Sequence, residues 1–130
     1  MSKTVIITGA SRGIGAATAK LAGARGFKVC VNYNSSPDKA EEVVNTINAA
    51  GGEAFSCQGN AGVESDIIAL YKAVDERWGS VDAVINNAGI DHEAEFAHTT
   101  WDDYLKVFNV NILGLMMSCR EAVQRMSTKR

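Results

Sequence analysis

Between Thr8 and Gly15 the chain reads Thr-Gly-Ala-Ser-Arg-Gly-Ile-Gly, directly after the apolar run Val5-Ile6-Ile7 and directly before a helical stretch. A strand that ends in glycines and passes straight into a helix can turn there because glycine tolerates left-handed backbone. The first amides of that helix have no intrahelical partners. Those amides, at the positive end of the helix dipole, suit an anion. The order strand, glycine turn, helix is that of the phosphate-binding unit of doubly wound folds. Gly9 serves the tight turn. Gly13 or Gly15 lets backbone approach a pyrophosphate and lets the helix pack close to the sheet. A purely structural turn is the competing reading. The spacing is GxxxGxG rather than GxGxxG, and no Gly-Lys-Ser/Thr follows. A nucleoside-triphosphate loop is therefore disfavoured.

The rest of the chain repeats the same plan. Lys3–Thr8, Phe27–Asn32, Glu53–Cys57 and Val81–Asn86 are expected strands, the third of them weaker. Between them lie three expected helices. Gly13–Arg25 carries its apolar side on Ile14, Ala17, Thr18 and Leu21 and is stopped by Gly26. The second begins at Ser36-Pro37, an N-cap followed by a first-turn proline. It presents Ala40, Val43, Val44 and Ile47 and ends at Gly51-Gly52. The third presents Ile67, Ile68, Tyr71, Val74 and Trp78 and ends at Gly79. Thr99 or Thr100 caps a last long helix reaching about Met126. Strands one, two and four are apolar without polar alternation, as in parallel sheets covered on both faces. The connections are long enough for right-handed crossovers. The expected architecture is an α/β, doubly wound parallel sheet, and residues 1–130 are read as one domain.

Bulk properties narrow the partners. The chain is 46% hydrophobic and 22% charged, with net charge −2. That balance suits a globular protein and offers no reason to expect nucleic acid or an anionic membrane as partner. Cys30, Cys57 and Cys119 are scattered, with no CxxC pair, which suggests reduced thiols. No signal-peptide core and no run of membrane-spanning length stand out. A cytoplasmic protein is expected. His92 and His98 lack metal-ligand spacing and are read as surface residues, and no metal is expected.

Two features bear on which dinucleotide would bind. Arg12 puts a cation at a helix N-terminus, against the dipole, which a bound anion would reverse. A solvated surface arginine is the alternative. At the end of strand two an NAD site carries Asp or Glu on the ribose 2′-hydroxyl. Here Asn32-Tyr33-Asn34-Ser35-Ser36 has no carboxylate until Asp38. Nothing there repels a 2′-phosphate, so NADP is favoured over NAD. A plain turn and helix cap is the other reading of Asn34–Ser36.

Three segments in order, Thr8–Gly15, Asn86-Asn87-Ala88-Gly89 and Asn109-Val110-Asn111-Ile112, resemble the classical short-chain dehydrogenase/reductases. They are most similar to 3-oxoacyl-acyl-carrier-protein reductases and glucose dehydrogenase-like members. The resemblance runs over the whole chain. It implies a Rossmann-like sheet of order 3-2-1-4 for the part present, with the C-terminal strands absent. It implies an NADP(H)-dependent oxidoreductase moving hydride between nicotinamide and a small-molecule carbonyl or secondary alcohol. Gly9, Ser11, Arg12, Gly13, Ile14 and Gly15 would hold the phosphates, and Asn34 and Ser35 would flank the 2′-phosphate. Asn60 and Ala61 would contact the adenine, although many relatives have Asp where Asn60 stands. Asn87, Ala88 and Gly89 would line the cofactor groove, with Asn86 bracing the sheet. Asn111 matches the family's catalytic asparagine, which supports a water in the proton relay. Turn and core roles are the alternatives for these asparagines.

The family's serine and Tyr-x-x-x-Lys pair are missing from these residues. Four positions after Tyr33, Tyr71 and Tyr104 stand Pro37, Asp75 and Phe108. The 130 residues alone are therefore expected to be inactive. A non-catalytic dinucleotide-binding or partner-binding module is the alternative function. The last helix carries Val107, Phe108, Val110, Ile112, Leu113, Leu115, Met116 and Met117, apolar around most of its girth. It needs neighbours on more than one side. A homo-oligomer through that helix, as the resemblance implies, or the rest of a longer protein would supply them.

Overall fold

A computed structural model describes residues 2–126. Four strands, β1 (Thr4–Ile7), β2 (Lys28–Tyr33), β3 (Glu53–Gln58) and β4 (Ala83–Ile85), form one parallel sheet in the order β3-β2-β1-β4. Helices α1 (Gly13–Ala24), α2 (Pro37–Ala49) and α3 (Glu64–Trp78) make the crossovers. After β4 come a short 3-10 turn at Phe96–His98, α4 (Trp101–Phe108), a π-helical turn at Asn109–Gly114, and α5 (Leu115–Met126).

Alternation along the central strands explains why helices cover both faces. Val5, Ile7, Val29 and Val31 point to one side, where α1 and α2 pack with Ala16, Ala19, Val43 and Ile47. Ile6 and Cys30 point to the other, onto Ile67, Leu70, Tyr71 and Val74 of α3 and Ala122 of α5. Register pairs Val5 with Val29 and Ile6 with Cys30, so the two apolar layers run unbroken across the strands. Each buried Val, Ile or Leu among them contributes about 1.5–3 kcal/mol against exposure.

The strands and the first three helices lie within a residue or two of the sequence expectation, except that β4 shrinks to three residues. The packing face of α1 does not follow it. Ile14 is 79% and Leu21 52% exposed, while Gly15, Ala16, Ala19 and Gly23 are buried. Close approach decides this. A Cβ on Gly23 would lie 2.6 Å from the Ile47 side chain, so the helix sits against its neighbours on its smallest residues. Ser36 occupies the N-cap of α2 but makes no side-chain capping bond. Thr100 caps α4 in a reciprocal box with Asp103. The expected single last helix is interrupted by the π-turn, and β4 stands at an edge with Ile85 partly exposed.

Candidate functional site

The carboxyl ends of all four strands open on one side, where a doubly wound sheet binds its ligands. The loop after β1 turns on Gly9 (φ +61°) and Gly13 (φ +59°), both in the left-handed region. Gly15 is buried beneath the loop, and a Cβ there would overlap the Gly9 carbonyl oxygen. Helix α1 starts at Gly13 with no side-chain cap and no acidic residue in its first turn. Its leading amides remain available to an anion.

The loop is locked to the segment after β4. Thr8 Oγ1 accepts from the Asn87 and Ala88 amides, each at 3.0 Å. Asn87 Nδ2 donates to the Thr8 and Gly9 carbonyls, each at 3.1 Å. The bracing expected of Asn86 therefore belongs to Asn87. Asn86 instead directs its amide to Cys119 Sγ at 3.7 Å, because the chain leaves β4 after Ile85 and Asn87 is the first side chain to reach back to β1.

Asn32, the last residue of the expected second strand, is a buried polar residue to which the sequence pattern gave no role. It is 3% exposed. Its Oδ1 accepts from the Gly9 amide at 3.2 Å, and its Nδ2 donates to the Cys57 and Gly59 carbonyls at 3.2 and 3.1 Å. The turn after β3 is closed by Asn60, whose Oδ1 accepts from the Gly62 amide at 2.8 Å and whose own amide donates to Asp66 at 2.8 Å. The turn reading of Asn60 is thus what its side chain does here.

These four segments enclose a groove of about 340 Å³. Gly9, Ser11 and Arg12 form one wall, and Asn34 and Ser35 close its outer end. Asn60 and Ala61 form the facing wall, and Asn87, Ala88 and Gly89 form the floor towards β4. Gly13, Ile14 and Gly15 stand just outside, at the start of α1. Asn111 lines an adjoining cavity of about 150 Å³, with Asp66, Asn86 and Ser118. The groove lining holds no carboxylate and one guanidinium, that of Arg12. Arg12 is exposed and makes no ion pair among the described residues.

Asn111 lies inside the π-turn, an irregularity that marks functional sites in many helices. Its side chain brackets the backbone after Gly89, taking the Ile90 amide at 2.9 Å and giving to the Ile90 carbonyl at 2.7 Å. The turn also presses on the wall opposite. A Cβ on Gly114 would overlap the Ala61 carbonyl, and one on Gly62 would lie 2.9 Å from Val110. Behind it, α5 is fastened to α3 by Arg125, which pairs with Asp75 at 2.8 Å, and by the Tyr71 hydroxyl, which donates to the Ser118 carbonyl at 2.9 Å. Burial pushes the Tyr71 hydroxyl pKa up, partly offset by the Ser118 bond.

His92 lies 3.4 Å from Asp103, and His98 lies 3.2 Å from Glu95. The Thr100 bonds, backbone first, hold the Asp103 carboxyl below its ordinary range. Among the described residues no cluster of three metal-ligating side chains exists and no helix is long and apolar enough to cross a membrane.

Comparison with known proteins agrees with this geometry. The family model described as short chain dehydrogenase matches residues 3–130. An uncharacterized oxidoreductase, YgfF, of Escherichia coli is 39% identical over 125 residues, covering 95% of this chain and 51% of that protein. A 3-oxoacyl-[acyl-carrier-protein] reductase of Staphylococcus epidermidis is 37% identical, covering 100% of this chain and 53% of that protein. The crystal structure of a short chain dehydrogenase from Burkholderia cenocepacia in complex with NADP superposes with a TM-score of 0.92 at 33% identity, covering 95% of this chain and 51% of that one. The chain spans about half the length of the curated relatives it matches.

Proposed function

Because the chain belongs to the short-chain dehydrogenase family, we propose that it carries the cofactor-binding half of an NADP(H)-dependent oxidoreductase acting on a small carbonyl or secondary alcohol. The observation that carries this reading is the make-up of the groove. It runs along the carboxyl ends of the strands, it is lined by amides, small side chains and one free guanidinium, and no carboxylate enters it. The NADP held by a relative that is 33% identical supports the same choice of cofactor.

The residues fit such a ligand. The uncapped start of α1 and Ser11 would take the diphosphate, because the nearest Cβ positions are absent at Gly9, Gly13 and Gly15 and backbone can be approached closely. Arg12, Asn34 and Ser35 would take the 2′-phosphate, and Asn60 and Ala61 the adenine. Asn87, Ala88 and Gly89 would border the remainder. When bound, a nicotinamide dinucleotide supplies or accepts the hydride. Asn111, held by the Ile90 backbone, would position a water rather than transfer a proton itself, since an amide is neither acid nor base near neutral pH. A general acid is worth about 10²–10⁴ in rate, and residues 1–130 contain no Tyr-x-x-x-Lys pair. The 130 residues by themselves bind cofactor without turning it over.

Fluorescence titration with NADPH, NADH and ATP tests the proposal. NADPH is expected to bind tightest. Arg12→Glu is expected to weaken NADPH by about 10–100-fold, the scale of one charge-assisted bond, and NADH by distinctly less, since NADH lacks the 2′-phosphate. Tighter binding of ATP, or no dinucleotide binding, overturns it.

A further inference from the structure

We propose that Asn32 is a positioning residue that latches the two walls of the groove together, so that an anion settling on the loop after β1 also orders the turn after β3. This rests on the dinucleotide reading above and concerns how that same site is set.

The two backbone ladders end at different points. Pairing between β1 and β2 stops at Ile7 with Val31, whereas pairing between β2 and β3 runs on through Asn32 with Cys57 to Tyr33 with Gln58. Past Val31 the loop after β1 must part from β2 to make room for a ligand. Asn32 is the first residue past that point, still paired with β3 and almost fully buried, with its side-chain oxygen and nitrogen both committed. The oxygen holds the Gly9 amide on one wall, and the nitrogen holds the Cys57 and Gly59 carbonyls on the other. Its own carbonyl accepts from Ala10 at 2.8 Å, so the loop after β1 is hung from this residue twice. The far end of the facing turn is fixed separately, by Asp66 on the Asn60 amide. What sets its near end against the phosphate loop is Asn32, helped by the Gly59 amide on the Tyr33 carbonyl at 2.9 Å.

A buried amide with these partners cannot be replaced by its nearest isostere. A carboxylate keeps the acceptor for Gly9 and turns the donor towards Cys57 and Gly59 into an oxygen facing two carbonyl oxygens. Asn32→Asp therefore cuts the latch on one side only, at nearly constant volume. The added charge weakens any anion on the phosphate loop, and ligands that span both walls should suffer beyond that.

The full-length protein and its Asn32→Asp variant are titrated with NADPH, which spans both walls, and with inorganic pyrophosphate, which occupies the loop alone. NADPH is expected to weaken about tenfold or more beyond pyrophosphate, the effect of leaving buried carbonyls unpaired, while pyrophosphate reports the added charge alone. Equal loss for both ligands means a merely structural residue and overturns the proposal, as does a folded variant with neither affinity changed. Should the variant not fold, amide hydrogen exchange in the wild type decides. Pyrophosphate should slow exchange at residues 60–62 as well as at residues 9–15, and protection confined to the loop overturns the latch. Failure of the wild type to bind NADPH sinks the cofactor reading instead, and the pyrophosphate exchange result still judges the latch.

Discussion

Cys30 and Cys57 lie on neighbouring strands and face the same side. Cys30 pairs in register with Phe55 and Asn32 with Cys57, so both thiols turn towards α3. Cys30 is buried and Cys57 half-buried. A hydrogen bond from the Cys30 thiol stabilises the Cys57 thiolate and lowers its pKa from 9.0 to about 7, against the opposing effect of burial. The same bond, with burial added, raises Cys30 well above 9.0. The folded pair thus gives up one proton near pH 7, while the unfolded pair gives up both near 9. Between those values the unfolded chain binds more protons, so stability rises with pH from about 7 to 9. Above 9 the order reverses, because Cys30 still holds its proton, and stability falls. Urea denaturation from pH 6 to 10 should display that rise, and Cys57→Ser should abolish it. Alkylation by iodoacetamide should reach half its maximal rate at Cys57 near pH 7, with Cys30 unmodified. A half-maximal pH near 9 contradicts the thiol–thiolate bond.

Elements here are placed by what glycine leaves out. Gly114 in the π-turn faces the Ala61 and Asn109 carbonyls, both backbone, so nothing near an added methyl can rotate away. Gly23 in α1 faces the tip of Ile47, which can. Alanine at either site gains about 1 kcal/mol of helix propensity over glycine, and overpacking costs about 1–3 kcal/mol, occasionally more. With the backbone clash at Gly114 at the upper end of that range, Gly114→Ala should destabilise by a net of about 2 kcal/mol or more, and Gly23→Ala by distinctly less, as read from urea midpoints. Equal losses would mean that the π-turn and the Asn60–Ala61 turn are not rigidly apposed. The same glycines explain where sequence reading stops. The strands, the crossovers, the face of α2 and, apart from Leu70, that of α3 followed from apolar periodicity, because there large side chains point inward, while the strand order came from the family resemblance. In α1 the large residues point outward and the small ones inward, so periodicity selected Ile14 and Leu21 and missed Gly15, Ala16, Ala19 and Gly23. The π-turn left no periodic signal. Of the groove lining, the segments at Gly9 and at Asn87–Gly89 stood out as motifs, and Asn34, Ser35, Asn60 and Ala61 came from the family resemblance. Asn32 did not stand out, since one polar residue ending an apolar strand makes no pattern.

At the scale of the whole molecule, α5 carries apolar side chains on two faces. On the inner face Ala122 is buried, with Met117 and Met126 packed beside it. Ser118 and Glu121 are buried there too, and Arg125 reaches Asp75 on α3. The outer face holds Arg120 and Gln124, but also Met116, 63% exposed, and Val123, 59% exposed, and Ile112, Leu113 and Leu115 add to the same exposed surface. Phe108 and Leu105 continue it along α4. A helix that packs one apolar side inward and leaves a methionine and a valine in solvent on the other belongs to a surface that another layer covers. We propose that the layer is a second copy of the chain. Sedimentation velocity on the full-length protein should then show a dimer or larger assembly at micromolar concentration. Met116 and Val123 are seven residues apart on one face, and neither lines the groove. The double variant Met116→Glu, Val123→Glu should weaken association by about 100-fold or more, since two charges would be desolvated without partners in the joint. NADPH affinity should stay within about twofold, because the groove is built from other residues. A monomer at every concentration would overturn the second copy, and an assembly indifferent to both glutamates would place the joint elsewhere.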